Sequence, residues 1–115
     1  MPEARVEMSV RDAGIGVRIV DITGEVTAFA EPVLTAAYGE ASGDGTKAIV
    51  LNFEGMDYMN SGGIGLLVTT LIRANRAGQE MRAFGLSDHY REILSLTRLD
   101  EAIRIFADES TAVAG

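Results

Sequence analysis

Apolar and polar residues alternate along the first part of the chain, and this alternation predicts two β-strands. The first strand is expected around residues 6–10 and the second over residues 15–22. A short turn at residues 12–14 joins them, so the pattern predicts an antiparallel hairpin. The sequence Thr23-Gly24-Glu25 interrupts the alternation and predicts the end of the second strand.

Later segments place their apolar residues at helical spacing, and they alternate with short apolar runs. Helices are predicted over residues 28–41, from Ser61 to about residue 76, and after Ser87 or Asp88, either of which can cap a helix. The apolar face of the first is expected to comprise Phe29, Val33, Ala36 and Ala37. The apolar face of the second helix is expected to comprise Ile64, Leu67, Val68, Leu71 and Ile72. The apolar face of the third helix is expected to comprise Tyr90, Ile93, Leu94 and Thr97.

The remaining apolar runs predict further strands. Residues 48–51 are continuously apolar, as in a strand covered on both faces, and a loop is expected from Glu54 to Asn60. Residues 81–84 predict a further strand, residues 103–106 predict another one weakly, and residues 42–45 predict a loop. The order predicts an α/β fold: one domain over residues 1–115, with a mostly parallel sheet of 4–5 strands, the hairpin at its edge and 3–4 helices. The tail, 108–115, is small and polar and predicts a frayed helix or disorder.

Composition narrows the function classes. The 115 residues carry a net charge of −7, which argues against binding to nucleic-acid phosphates and to anionic lipid. The chain has no cysteine, so disulfides and thiolate chemistry are absent. No apolar run is long enough to span a bilayer and the first residues do not resemble a signal peptide, so a cytoplasmic protein is expected, with no membrane insertion.

The sequence DYMNSGGIGLL, residues 57–67, raises a chemical question because it places Ser61 where a helix begins. A nucleophile elbow needs a glycine on both sides of the serine, and here only Gly63 is present, while the single histidine, His89, lies in a polar turn. A catalytic triad is therefore disfavoured. The glycines are followed by no lysine, so the pattern of a phosphate-binding loop is absent, and close packing of the helix on the sheet is the preferred interpretation.

Three carboxylates, Glu25, Glu54 and Asp57, follow predicted strands and could share one rim of the sheet. Spacing alone does not make them a metal site, so a solvated acidic rim is preferred and no metal or cofactor is expected. A phosphate on Ser61 would lie at a helix N-terminus, where the helix dipole favours negative charge. Capping by Asn60 or Ser61 explains the same residues equally well. The residues alone leave cap and modification site open.

The stretch IVLNFEGMDYMNSGGIGLL closely resembles the signature of the STAS domain as found in bacterial anti-sigma factor antagonists, and VDITGEVTAFAEPVL resembles the family's second strand, Gly-Glu turn and first helix. The resemblance extends over about residues 5–107. It implies a binding module and not an enzyme, working by partner switching: an anti-sigma factor that is also a serine kinase phosphorylates Ser61, and a PP2C-type phosphatase reverses the mark. Residues expected to contact the partner are Thr27, Phe29, Met59, Asn60, Ser61 and Gly62.

Three positions depart from the family's pattern. Asn60 and Thr27 stand where the family usually, or often, has Asp, and Gly62 stands where many relatives have Ser or Thr. The missing acids make a phosphate electrostatically easier to hold, or they reflect a different partner or a lost switch. The alternatives are a non-phosphorylated scaffold subunit of a stress-signalling or lipid-transport complex, a hydrolase using Ser61, and ligand binding at the glycines. A weak homodimer is also considered.

Overall fold

A computed structural model describes residues 5–43 and 45–115 of this chain. One sheet contains five strands in the order β1-β2-β3-β4-β5, and only the β1–β2 pair is antiparallel. The strands are β1 (Val6–Asp12), β2 (Val17–Val26), β3 (Ala48–Met59), β4 (Glu80–Phe84) and β5 (Ile103–Phe106). The α-helices are α1 (Glu31–Ala41), α2 (Ser61–Arg76), α3 (Asp88–Leu96) and α4 (Glu109–Ala114). The predicted α/β fold with a hairpin at the edge of the sheet is confirmed.

Successive residues of a strand face opposite sides of the sheet, and the core is divided accordingly. Val20 and Leu51 belong to the larger apolar cluster, to which α1 and α2 contribute. Ile19 and Val50 belong to a smaller cluster on the other face, together with Ala112 of α4. The prediction that residues 48–51 are covered on both faces is therefore confirmed, since all four are buried.

Several predicted boundaries are wrong. Ile15 is fully exposed in the turn, and β2 begins only at Val17. β2 then continues through Thr23-Gly24-Glu25, and β3 continues through most of the predicted loop, because these two segments pair with each other across register shifts. The pattern did not show this pairing, since much of the β3 extension is exposed and carries no apolar alternation. Asp44 of the predicted loop lies outside the described residues.

The helical faces also differ from the prediction. In α1 the buried residues are Leu34, Ala37, Tyr38 and Ala41. Phe29 precedes α1 in a 3-10 turn, Ala28–Ala30, and is 55% exposed, while Ala36 is exposed as well. In α2 the face is rotated, so that Thr70 and Ala74 are buried and Ile72 is 45% exposed. The tail predicted to be frayed or disordered forms α4, which buries Ala112 against the sheet.

Candidate functional site

The first turn of α2 is capped by Asn60. Its backbone is extended, and its side-chain Oδ1 accepts a hydrogen bond from the amide of Gly63 at 3.1 Å. Its own amide donates to the carbonyl of Val26 at 3.3 Å, which ties the helix start to the end of β2. Ser61, the first helical residue, is exposed and does not provide the cap. The structure thus assigns capping to Asn60 and leaves the hydroxyl of Ser61 available to solvent.

Two glycines allow the start of α2 to approach the sheet closely. A Cβ atom on Gly63 would lie 2.1 Å from the carbonyl oxygen of Val26, a distance that no side chain tolerates. A Cβ atom on Gly62 would lie 3.0 Å from the amide nitrogen of Ala28. Gly65 has open space around the same position. Close packing is therefore confirmed as the structural reason for Gly62 and Gly63, and it does not account for Gly65.

Tyr90 of α3 supports the residue that precedes the cap. Its hydroxyl oxygen accepts a hydrogen bond from the amide of Met59 at 3.0 Å. The Met59 side chain is only 4% exposed and belongs to the larger core cluster. Met59 was expected to contact a partner, but its side chain is buried and is therefore not exposed for such a contact. The sequence pattern assigned Tyr90 only to a helix face, because no local spacing connects residues 59 and 90.

The 3-10 turn after β2 lies beside the start of α2. Thr27 caps this turn, and its hydroxyl oxygen accepts from the amide of Phe29 at 3.2 Å. Val26 pairs with Met59 in the sheet, and Ala28 contacts Gly62, so the two segments meet at one end of the sheet. Sequence reasoning missed Tyr58 as a surface residue, although its ring is 47% exposed. We call this region the helix-start surface, defined by Thr27, Phe29, Tyr58, Asn60, Ser61 and Gly62.

The three carboxylates, all among the described residues, are not gathered into one cluster. Glu25 lies opposite Tyr58 in the β2–β3 ladder, and Glu54 and Asp57 are exposed on β3. Across residues 5–43 and 45–115, no group of three or more His, Cys, Asp or Glu side chains is placed to hold a metal ion. His89 is exposed and contacts the Tyr90 ring edge-on, at 5.0 Å between ring centroids.

The two positions at which the family's acids are missing both lie at the helix-start surface. Asn60 is the residue before Ser61, and Thr27 is next to Ala28, which contacts Gly62. Both side chains are uncharged and act as caps, so they satisfy backbone amides rather than adding charge. At these two positions the helix-start surface therefore carries a hydroxyl and an amide where the family has carboxylates.

None of the helices in the described part of the chain combines the length and the apolar character needed to cross a bilayer. A mixed five-stranded sheet and an exposed serine at a capped helix start define a small α/β domain. The chain belongs to the STAS domain family, whose model matches residues 8–112.

Relatives of known sequence and structure agree with this assignment. An anti-sigma-B factor antagonist of Staphylococcus aureus is 32% identical over 94 residues, which are 82% of this chain and 85% of the relative. A crystal structure of an anti-sigma factor antagonist from Mycobacterium paratuberculosis has a TM-score of 0.80 at 22% identity, covering 98% of this chain and 97% of the other. The phosphorylated form of the Bacillus cell fate determinant SpoIIAA has a TM-score of 0.71 at 18% identity, covering 93% and 96%. The chain is therefore a STAS domain of the anti-sigma factor antagonist type.

Proposed function

We propose that this domain is a regulatory binding module that switches partners. In its unmodified form it binds an anti-sigma factor serine kinase through the helix-start surface, and phosphorylation of Ser61 by that kinase breaks the complex. A PP2C-type phosphatase reverses the modification, and all three proteins act in the cytoplasm. The observation that carries the proposal is the exposed hydroxyl of Ser61 at a helix start that Asn60 already caps.

Helix chemistry supports a phosphate at this position. The first amides of a helix have no partner within the helix, and Asn60 satisfies only that of Gly63. A phosphate on Ser61 would therefore find the Ser61 and Gly62 amides and the positive end of the helix dipole nearby. It would add about −1.5 to −2 charges without costing the helix its cap. The fold should survive the modification, so its effect would fall on the surface.

The surface around Ser61 supports a protein partner. Phe29 and Tyr58 expose 55% and 47% of their area, and aromatic residues, including Phe and Tyr, are enriched at the core of protein interfaces. Thr27 and Asn60 at the same surface carry no charge. A partner that packs against these groups would exclude water from the Ser61 hydroxyl. Desolvating a phosphate there without a partner cation would be costly, which explains how one modification could end binding.

Two substitutions at Ser61 test the proposal. Ser61→Ala should bind the anti-sigma kinase as the wild type does, because the hydroxyl takes no part in capping. Ser61→Asp should weaken binding at least tenfold, equivalent to about 1.4 kcal/mol. Calorimetry or surface plasmon resonance with the purified kinase measures both. The matched control is Ser95→Asp, which adds the same charge at an exposed serine of α3 and should leave the affinity unchanged. Equal affinity of both Ser61 variants would refute the switch.

Intact mass and peptide mapping of the protein from its own cells test the modification directly. We expect a phosphate-sized addition on Ser61 that treatment with a PP2C-type phosphatase removes. Absence of this mass under several growth conditions would contradict the phosphorylation step. In that case a large, stable complex of the native protein would favour the scaffold role over transient partner switching.

A further inference from the structure

Within the described part of the chain, the outer edge of β1 presents unpaired backbone along one side of the sheet. β1 has seven residues, and the strand at the opposite edge, β5, has four. Among the described residues, β1 pairs only with β2, and neither a proline nor a register shift interrupts it. Proteins generally protect long, regular edges of this kind, or use them to pair with another strand.

The ladder with β2 determines which backbone groups of β1 face outward. The carbonyl of Arg5 accepts from the amide of Glu25 at 2.8 Å, and the amide of Ala13 donates to the carbonyl of Val17 at 3.0 Å. Bonded and non-bonded residues alternate along an antiparallel strand, so the odd-numbered residues between these positions bond to β2. The residues whose amides and carbonyls face outward are Val6, Met8, Val10 and Asp12.

We propose that two copies of this chain pair through their β1 edges, antiparallel, with Ser9 of each copy opposite Ser9 of the other at a two-fold axis. In this register, the outward groups of Met8 pair with those of Val10 in the second copy. The register also places Glu7 opposite Arg11, so opposite charges meet on both sides of the axis. Sliding the strands by two residues in one direction would instead bring Arg5 opposite Arg11, a like-charge pair.

The side chains on the two faces of β1 suit this arrangement. On one face, Met8 lines a shallow groove with Pro32, Val33 and Ala36 of α1, and a Val10 side chain from the second copy would extend its apolar surface. On the other face, Arg11 contacts Asp21 and Glu109 but leaves 43% of its side chain exposed. Its guanidinium carries five donors, so a Glu7 carboxylate from the second copy can still be accommodated.

The interface leaves the helix-start surface free. Ser61 follows β3, and β2 lies between β3 and β1 in the sheet. Because the interaction through β1 uses a different side of the molecule, the inference does not rest on the proposed function. Each copy carries a net charge of −7, so the association should be weak and dependent on concentration.

A single engineered cysteine tests the pairing, since the chain has no cysteine of its own. At the two-fold axis, directly opposed residues that are not hydrogen-bonded have Cα atoms about 4.5 Å apart, which is compatible with a disulfide. Ser9→Cys should therefore form a disulfide-linked dimer at least tenfold faster under mild oxidation than Ser95→Cys, an exposed control on α3. Equal rates for the two variants would overturn the proposal.

Charge variants at the axis provide a second test on the full chain. Ser9 is exposed, so both Ser9→Lys and Ser9→Glu should fold, as circular dichroism would verify. Each variant alone should remain monomeric across a concentration series in sedimentation velocity in which the wild type dimerises. An equimolar mixture should recover a dimer, because opposite charges then meet at the axis. A monomeric wild type at all concentrations, or unchanged dimerisation of either variant alone, would refute the pairing.

Discussion

Helices α2 and α4 both begin at a capped residue, but they are attached to the sheet by different forces. α2 is held by close backbone approach at Gly63, by apolar packing and by the Asn60 cap. α4 also buries Ala112 against the sheet, but charged groups hold both of its ends: Glu109 contacts Arg11 at 2.8 Å, and Arg82 donates to the carbonyls of Ala112 and Val113 at 3.0 and 3.1 Å.

The difference indicates where the molecule can accept a new charge. The start of α2 depends on distances and burial, so a charge added at the exposed Ser61 would break no ion pair that holds the helix. The attachment of α4 depends on carboxylates and guanidinium groups, so it should respond to pH and to loss of a single arginine. A surface that is regulated by an added charge is therefore better placed beside α2 than beside α4.

The largest expected effect is that of Gly63→Ala. The new Cβ would collide with the carbonyl of Val26, so α2 must move away from the sheet, and we expect the free energy of unfolding to fall by about 3 kcal/mol. The control is Gly65→Ala, which meets nothing within 4 Å and should raise stability by about 0.5–1 kcal/mol, because alanine favours the helix. Urea unfolding measures both. Equal effects of the two would show that α2 is not held by close approach.

Arg82→Met should have the next largest effect. Methionine keeps the apolar stem of a side chain that is only 13% exposed, but it leaves the last carbonyls of α4 without their donor. We expect a loss of about 2 kcal/mol, with faster amide exchange confined mainly to α4. Arg104→Met is the matched control, since that side chain is 51% exposed and should cost less. If both variants leave exchange in α4 unchanged, charged contacts do not hold the helix.

A smaller effect is expected for Tyr90→Phe, which removes the acceptor for the amide of Met59 and nothing else. We expect the free energy of unfolding to fall by about 1 kcal/mol. Tyr58→Phe removes a hydroxyl from an exposed ring and should be neutral. A neutral Tyr90→Phe would mean that α3 does not support the residues before Ser61.

Periodicity predicted the five strands and helices α1 to α3 because each has a buried face, but it did not predict α4. It failed where burial depends on distant partners. The expectation that Phe29 is buried was wrong because a 3-10 turn, and not α1, contains it. The extension of β3 through residues 54–59 was missed because pairing with β2, rather than apolar alternation, maintains it.

In the candidate site, too, local features could be predicted from the sequence and contacts between distant segments could not. Asn60 and Ser61 could be placed at a helix start from the sequence, since capping is a local interaction. The contact of Gly62 with Ala28 and the bond between Met59 and Tyr90 join segments far apart in the chain, so no local pattern could show them. The burial of Met59 follows from the same long-range pairing.

The smallest expected effect concerns acid titration of Asp21, which pairs with Arg11, the arginine that contacts Glu109 at the start of α4. The Arg11 guanidinium, with help from the Asn52 amide, holds the pKa of Asp21 below its ordinary value of 3.8, against partial burial. The depressed pKa means that the contribution of Asp21 to stability is present above about pH 4 and is lost as pH falls through the folded-state value. Because Arg11 is exposed, we expect no more than about 1 kcal/mol. Urea unfolding from about pH 6 to about pH 2 should therefore show a shallower decline for Asp21→Asn than for the wild type. Identical slopes would mean that the Arg11–Asp21 pair does not contribute to stability.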